Sequence, residues 1–306
     1  MPLPFVDVII PHLNDHERLG QCLELLMRQT YPPANFQVTV VDNGSDHPID
    51  EVIARFPGVR ALVESERGCG SARNRGVAAT SGAILAFTDS DCQPAPDWIQ
   101  NGVRMLSPGS GIDIIGGEVD VFAADDANPT DAELFEKVFG FECQRYVERK
   151  HFACGANIMV SRRVFEAVGP FRDASQPEDL EWGRRATRLG YRIAYGAQVI
   201  IRHPARHTLA QLRKKTERTV WHARNHMAES RWFRAKWAIY TLAMASPPLW
   251  KTVLVLTSPS LTDWPQRLRA LTTLLHIRYF RVAIMARYLF MPVPPQAAPH
   301  GQRIEA

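Results

Sequence analysis

Short apolar runs alternate with helix-like patterns along the N-terminal part of the chain. Four of these runs have the length of buried strands. They are Phe5–Pro11, Phe36–Val41, Val59–Val63 and Ala83–Phe87. After the first run, Leu19, Cys22 and Leu26 recur at helical spacing, and Asn14 with Glu17 offers a capping pattern for that helix. Regular alternation of strand and helix predicts an α/β fold with a mostly parallel sheet flanked by helices.

The pattern changes in the C-terminal third of the chain. Residues 208–229 form a basic helix-like stretch, while 236–257 and 264–290 are apolar but interrupted by Pro, Lys or Arg. Each uninterrupted apolar run falls short of the ~18 residues that a transmembrane helix needs. We therefore predict three regions: an α/β domain over 1–205, a basic amphipathic helical extension over 206–291 and a disordered tail over 292–306.

The charge is divided unevenly along the chain. Residues 1–201 hold 19 Lys and Arg against 28 Asp and Glu, a net charge of −9, whereas residues 202–306 hold 17 against 4, a net charge of +13. A basic tail of this kind indicates an anionic partner, which could be a membrane surface, a nucleic acid or a phosphorylated acceptor. The amphipathic helices either lie on an anionic leaflet or pack on the body as core helices.

The cysteines and the N-terminus indicate a cytoplasmic protein. The five cysteines are widely spaced without a CxxC pair, which argues against a disulfide framework and against a zinc site. Residues 1–4 lead directly into the first apolar run without a basic segment before it, so no signal peptide is expected.

Two acidic turns follow strand-like runs. Asp89-Ser90-Asp91 comes after Ala83–Phe87, and Asp42-Asn43 begins a turn that continues to Asp46. Ligands bind beyond the carboxyl ends of strands in parallel sheets, and carboxylate oxygens suit Mg²⁺ or Mn²⁺, which can hold a diphosphate. An ordinary surface turn is the alternative for each.

Three other segments could contribute to a site. Gly68-x-Gly70-x-x-Arg73 is either a phosphate-contacting loop or a plain helix start, and it lacks the third glycine of a dinucleotide fingerprint. Gly155-Ala156-Asn157 would allow close backbone approach to a ligand. Glu178-Asp179 begins a helix, where acids are also simply favourable with the helix dipole.

In this order, the motifs resemble those of the family 2 glycosyltransferases, which have the GT-A fold and use nucleotide-diphosphate sugars. The resemblance runs from about Val6 to about His203. By this resemblance, the donor side is formed by Pro11, Asp42, Asn43, Arg73, Asp89, Ser90 and Asp91. Gly155, Ala156, Asn157 and Trp182 would line the sugar and acceptor side, Asp179 with Glu178 would supply the general base, and Asp91 with His203 would bind the divalent metal.

The resemblance has one informative departure. Processive synthases of the family carry a Gln-x-x-Arg-Trp motif and several transmembrane helices, whereas the comparable region here reads Thr216-Glu217-Arg218-Thr219-Val220-Trp221-His222. We therefore expect transfer of a single sugar by an inverting, Mg²⁺- or Mn²⁺-dependent enzyme that does not bind nucleic acid. The acceptor would be a hydroxyl, lipid-linked if the basic tail holds the enzyme on the inner face of the cytoplasmic membrane.

Two alternatives remain at this level. A sugar-phosphate nucleotidyltransferase would carry a Gly-rich, basic first loop, which is not found in the residues that follow Pro11. A non-catalytic protein that binds a nucleotide sugar or a nucleic acid is the other alternative, and retention of Asp89, Asp91 and Asp179 argues against it.

Overall fold

The computed structural model describes residues 2–172, 177–228, 230 and 232–291. These residues form two compact units, one built from 2–120 and 142–203 and the other from 121–141 and 204–291. The predicted boundary lies between 205 and 206, which puts 121–141 in the first predicted domain, whereas that segment belongs to the second unit of the structure. The predicted tail, 292–306, lies outside the described residues.

The first unit is organised around an eight-stranded sheet in the described part of the chain. Its strands are β1 Val6–His12, β2 Phe36–Asp42, β3 Arg60–Val63, β4 Ile84–Phe87, β5 Gln93–Pro94, β6 Ile114–Phe122, β7 Ile158–Ser161 and β8 Ile193–Pro204. Their order is β3-β2-β1-β4-β7-β6-β8-β5. Pairing is parallel between β3, β2, β1 and β4, and antiparallel where β7 joins β4 and β6 and where β5 joins β8. The four predicted strands are therefore the parallel part of the sheet.

Helices of the first unit flank the sheet. They are α1 His16–Leu26, α2 Asp50–Ile53, α3 Cys69–Ala78, α4 Trp98–Met105, α6 Cys143–Lys150, α7 Arg162–Val168 and α8 Glu178–Arg188. Asn14 is not the cap of α1, because Asp15 accepts the bond from the Arg18 N–H. Asn14 instead has φ of 58° and donates from its side chain to Asp46 at 3.0 Å. This φ lies in the left-handed α region, which Asn adopts more readily than most other residues.

The second unit is helical. It contains α5 Asp131–Phe139, α9 Leu209–Ala228, α10 Phe233–Ala245, α11 Leu249–Thr257 and α12 Trp264–Phe290. Two separate helices follow one another here, since α5 ends before Gly140 and α6 begins at Cys143. An alanine Cβ at Gly140 would lie 2.6 Å from the Glu136 carbonyl oxygen, so a larger residue there would force the neighbouring backbone to shift.

One hydrophobic cluster of the first unit lies between the sheet and α3, α7 and α8, and further fully buried apolar residues lie on α1 and α4. Phe87, Phe165, Phe171 and Trp182 form an aromatic cluster with ring centroids 5.4–5.8 Å apart. Each ring contributes about 1.5–3 kcal/mol by leaving water. Because Phe87 ends β4 and Trp182 lies on α8, this cluster holds α8 beside the carboxyl end of β4.

Among the described residues, no single helix has both the length and the apolar character to cross a bilayer. The pair α10 and α11 reaches that threshold only when taken together, and it is bent by 45° at its break.

Candidate functional site

The parallel strands bring the two acidic turns to one edge of the sheet. His12 pairs in register with Asp42 at the ends of β1 and β2, and the Asn43 N–H donates to the His12 carbonyl at 2.9 Å. β4 lies on the other side of β1 and runs in the same direction, so Asp89 follows at the same edge. Pro11 is buried there. Adjacent parallel strands with carboxylates at their ends form the crevice in which α/β sheets bind ligands.

The turn after β2 is held by its own side chains. The Asp42 carboxylate accepts from the Ser45 N–H at 3.2 Å and from the Ser45 hydroxyl at 2.5 Å. The Asn43 amide donates to the Glu64 and Glu66 carbonyls at 3.0 and 2.7 Å, and its oxygen accepts from the Gly68 N–H at 2.7 Å. Asn43 therefore shapes the loop before α3, and its amide is fully engaged by the protein.

Arg73 connects the donor side to the start of α8. It is 2% exposed, and its guanidinium donates to Asp89 Oδ1 and to Glu178 Oε1, both at 2.7 Å. Burial lowers the pKa of Arg73, but Asp89 and then Glu178 raise it by more, so its pKa lies above the usual range. Arg73 therefore stays protonated, because the two carboxylates compensate the positive charge of the buried guanidinium.

Gly155 makes room for this guanidinium. An alanine Cβ there would lie 2.8 Å from Arg73 Nη2, which is closer than real contacts allow. The same glycine donates its N–H to Asp179 Oδ2 at 2.9 Å. Gly155 therefore lies between the Arg73 guanidinium and the carboxylate of Asp179.

Asp179 has the properties of a proton acceptor near neutral pH. Its Oδ1 accepts from the Leu180 N–H at 2.7 Å. Burial first and the Glu178 charge second raise the pKa of Asp179 to about 6, against the lowering effects of the Gly155 N–H and Arg73. A general base works best when its pKa lies near the working pH.

Asp91 and His203 lie next to each other although they are far apart in sequence. The Asp91 Oδ2 and His203 Nε2 atoms are 3.5 Å apart. The pairing of β5 with β8, which places Gln93 opposite Arg202, brings them together. Cys92 completes a group in which one ligand atom from each residue lies within 4.8 Å of the others.

This group fits a divalent ion through two of its members. A carboxylate and an imidazole, together with diphosphate oxygens and water, suit Mn²⁺ or Mg²⁺. Cys92 is fully buried, and burial raises the pKa of its thiol well above the ordinary value. A protonated, soft sulfur is a poor ligand for such hard ions. Asp91 and His203 are therefore the residues that could hold the metal.

Other predicted acceptor-side residues are interior in this structure. The Asn157 side chain is fully buried, where it donates to the Glu118 and Val199 carbonyls at 2.8 Å and accepts from Trp98 Nε1 at 2.9 Å. Trp182 is 1% exposed in the aromatic cluster and donates to the Gly169 carbonyl. Both side chains make their contacts within the protein in this structure, and their role on the acceptor side stays a prediction. Ala156 and Ser90 are also buried.

His12 is a candidate site residue that the sequence motifs did not predict. It is 2% exposed, neither ring nitrogen has a hydrogen-bond partner among the described residues, and the His16 ring lies 5.3 Å away. Burial, then His16, lower the pKa of His12, so the ring is neutral and keeps both a donor and an acceptor. The only sequence signal is its place directly after Pro11 at the end of β1.

Comparison with known proteins gives consistent results. The sequence model described as Glycosyl transferase family 2 matches residues 7–169, a stretch that contains both acidic turns and ends before α8. The glycosyltransferase AglE of Haloferax volcanii is 38% identical over 210 residues, which are 67% of this chain and 68% of the relative. Validoxylamine A glucosyltransferase of Streptomyces hygroscopicus subsp. limoneus is 31% identical over 104 residues, 32% of this chain and 23% of that protein.

A solved structure has the same fold. Mannosyltransferase PcManGT from Pyrobaculum calidifontis, in complex with GDP-Man and Mn²⁺, aligns with a TM-score of 0.61 at 18% identity, covering 95% of this chain and 88% of that one. The predicted GT-A architecture with C-terminal helices is thereby confirmed. The family match and the 38% identical relative together show that this chain belongs to glycosyl transferase family 2 and is a glycosyltransferase.

Proposed function

We propose that this glycosyltransferase moves one sugar from a nucleotide-diphosphate sugar to a hydroxyl acceptor, with inversion and with Asp179 as the general base. The observation that carries the proposal is the hydrogen-bonded series Asp89–Arg73–Glu178, both links at 2.7 Å, beside Asp179 with its pKa raised to about 6. A charged donor-side carboxylate and a proton acceptor are thus parts of one rigid arrangement.

The proposed chemistry is a single in-line displacement at the anomeric carbon. Asp179 takes the proton of the acceptor hydroxyl as the new C–O bond forms, and the nucleotide diphosphate leaves with the electron pair of the broken bond. The N–H groups of Gly155 and Leu180 hold the carboxylate in a fixed orientation, which spares reorganisation during the transfer. Arg73 keeps Asp89 in position through the 2.7 Å ion pair.

The donor side would be formed by Asp42, Asp89 and His12. The buried ring nitrogens of His12 have no hydrogen-bond partner among the described residues. Asp91 and His203 would hold Mn²⁺ or Mg²⁺, and a bound divalent ion neutralises the charge that develops on a leaving diphosphate. Support for a nucleotide-diphosphate donor comes from the fold shared with a mannosyltransferase solved with GDP-Man and Mn²⁺.

We further propose that the acceptor is lipid-linked and that the enzyme works on the cytoplasmic face of a membrane. Two features support this: the net charge of +13 over residues 202–306 and the large apolar side chains that the helices of the second unit expose. An anionic leaflet attracts such a segment by about 1 kcal/mol for each basic residue near its surface. The net charge of −9 over residues 1–201 disfavours nucleic acid as the partner.

The test is a panel of nucleotide sugars with Mn²⁺ or Mg²⁺, read by thermal stabilisation and by release of nucleotide diphosphate. Asp179→Asn is expected to keep metal-dependent donor binding and to lose about 10²–10⁴-fold in transfer rate. Asp91→Ala should instead weaken metal-dependent donor binding. Glu166→Gln, which removes a carboxylate that is 63% exposed on α7, should change neither. If no nucleotide sugar stabilises the protein with metal present, the proposal fails, and exchanged effects of the two variants would mean exchanged roles.

A further inference from the structure

Helices α10 and α11 carry large apolar side chains that the protein does not cover. Ile239, Leu242, Leu249, Trp250 and Val253 are each between 47% and 75% exposed. We call these five residues the apolar face. A soluble protein rarely exposes a contiguous set of this kind unless it meets a partner or a membrane there.

The apolar face is not the packing side of these helices. Phe233, Trp237 and Thr241, spaced four residues apart, are the buried residues of α10. Trp237 Nε1 donates to the Met285 carbonyl of α12 at 2.9 Å. The residues of the apolar face lie outside this contact.

The same segment is almost without charge. Between Lys236 and Asp263 the sequence contains one charged residue, Lys251. The Lys251 ammonium lies 5.0 Å from the centroid of the Phe139 ring, a cation–π arrangement inside the second unit. The apolar face can thus enter a medium of low polarity without carrying a charge with it.

Two arginines of α12 satisfy the backbone groups at the ends of these helices. Arg278 donates to the Ser246 carbonyl at 2.7 and 3.0 Å, just beyond α10. Arg267 donates to the carbonyls of Val255, Leu256 and Ser258 at the end of α11. The last carbonyls of a helix have no partner within it, and unpaired carbonyls are costly where water is scarce. Carbonyl groups at both C-terminal ends therefore have hydrogen-bond donors from the protein, which lowers the cost of moving these ends away from water.

Positive charge and tryptophan accompany the apolar face. Residues 209–290 hold 14 Lys and Arg against 3 Asp and Glu. Trp232 and Trp264, at the starts of α10 and α12, are each 65% exposed. Tryptophan is enriched at the boundary between headgroups and acyl chains, and a basic helical surface complements an anionic leaflet.

We propose that the apolar face of α10 and α11 inserts into one leaflet of an anionic bilayer, as two successive helices bent by 45° at their break that enter the acyl region without crossing it. This deepens the membrane part of the proposed function, since it names the segment that docks and the depth of its contact. It differs from a purely electrostatic surface contact, because apolar insertion resists salt whereas surface attraction is screened within about 3 Å at 1 M ionic strength.

The experiment is flotation of the full chain with vesicles of phosphatidylcholine containing phosphatidylglycerol, at low and at high salt and without any donor. Wild type is expected to stay bound to a substantial fraction at high salt. Leu242→Glu/Leu249→Glu should lower the vesicle partition coefficient by about 10²-fold or more. Leu189→Glu, at a leucine that is 58% exposed in the first unit, is the matched control and should bind as wild type does.

Three results would overturn the proposal. They are release of wild type by salt alone, equal binding by the double variant, and a wild-type dimer that the double variant converts to monomer without any vesicle binding. Trp250→Ser serves as a second, smaller change if the double variant is poorly folded by circular dichroism, and it should lower vesicle binding in the same direction. Because no donor is present, failure here is distinguishable from failure of donor binding with metal.

Discussion

Glu178 sets the pH at which Asp179 becomes an effective base, and Glu178→Gln should reveal this. The change removes the negative charge that ranks second, after burial, among the causes that raise the pKa of Asp179. It keeps an oxygen that can accept from Arg73 Nη1, as Glu178 does at 2.7 Å. The geometry of the bridge is therefore retained while its charge is changed.

The size of the effect follows from electrostatics. One pKa unit corresponds to about 1.4 kcal/mol of interaction between the two protonation states, and a nearby like charge commonly raises the pKa of a carboxyl group by an amount of this order. Glu178 is 24% exposed and is paired with Arg73, which reduces its influence, so we expect the pKa of Asp179 to fall by about one unit. A residue with a pKa of about 6 is about one-tenth ionised at pH 5, and after the shift about half would be ionised.

The assay is kcat/KM as a function of pH, with the donor that the nucleotide-sugar panel identifies. In wild type, the rate should rise with pH through about 6 and then level off, because the ionised form of Asp179 is the base. Glu178→Gln should move this rise to lower pH, with about fivefold more activity at pH 5 and little change on the plateau. Thermal unfolding checks that the variant remains folded.

Glu181→Gln is the matched control. Glu181 lies on the same helix but pairs with Arg185 at 3.0 Å, so its removal should leave the pH profile close to that of wild type. A shift to higher pH in Glu178→Gln would refute the electrostatic reasoning. A plateau that falls more than about tenfold would mean that Glu178 acts in the chemical step itself.

Three further changes probe the site and the second unit. Gly155→Ala places a Cβ 2.8 Å from Arg73 Nη2; displacement of the guanidinium should lower the transfer rate by up to about 10²-fold, read from initial rates. Glu136→Gln removes a 2% exposed carboxylate that Lys215 contacts at 2.7 Å, and should cost about 3 kcal/mol in urea unfolding at pH 7. Burial raises the pKa of Glu136, but Lys215 and Arg206 lower it by more, so this stability is present above the ordinary value of 4.5 and is lost as pH falls. Cys92→Ser should keep metal-dependent donor binding, and Co²⁺ titration of wild type should give no sulfur-to-metal charge-transfer absorption, because the thiol is buried.

Each of these changes has a matched control. Gly20→Ala would place its Cβ 3.5 Å from the Arg55 guanidinium, an ordinary contact, and should leave the rate unchanged. Glu217→Gln removes an exposed carboxylate on α9 and should not affect unfolding. Cys69→Ser removes an exposed thiol. Unchanged activity in Gly155→Ala, unchanged stability in Glu136→Gln, or a Co²⁺ band that Cys92→Ser abolishes would contradict the corresponding argument.

The family of this chain and its transferase activity were predictable, because they are recognised from the order of short motifs along the sequence. Motifs at the ends of β1, β2 and β4 follow one another in sequence, and parallel pairing of adjacent strands places them at one edge. The family match over residues 7–169 confirms this part and decides against a sugar-phosphate nucleotidyltransferase or a non-catalytic protein. The roles of Asp179, Asp91 and His203 remain proposals.

The sequence alone determined the α/β fold, the acidic turns and the basic character of the C-terminal third, because periodicity and charge are local properties of a chain. Tertiary structure decided which side chains meet. It joined Arg73 to Asp89 and Glu178 across 16 and 105 residues, brought His203 to Asp91 through the β5–β8 pairing, and buried Trp182 in the core. Contacts over such separations depend on how strands and helices pack, and no local pattern in the sequence encodes that packing.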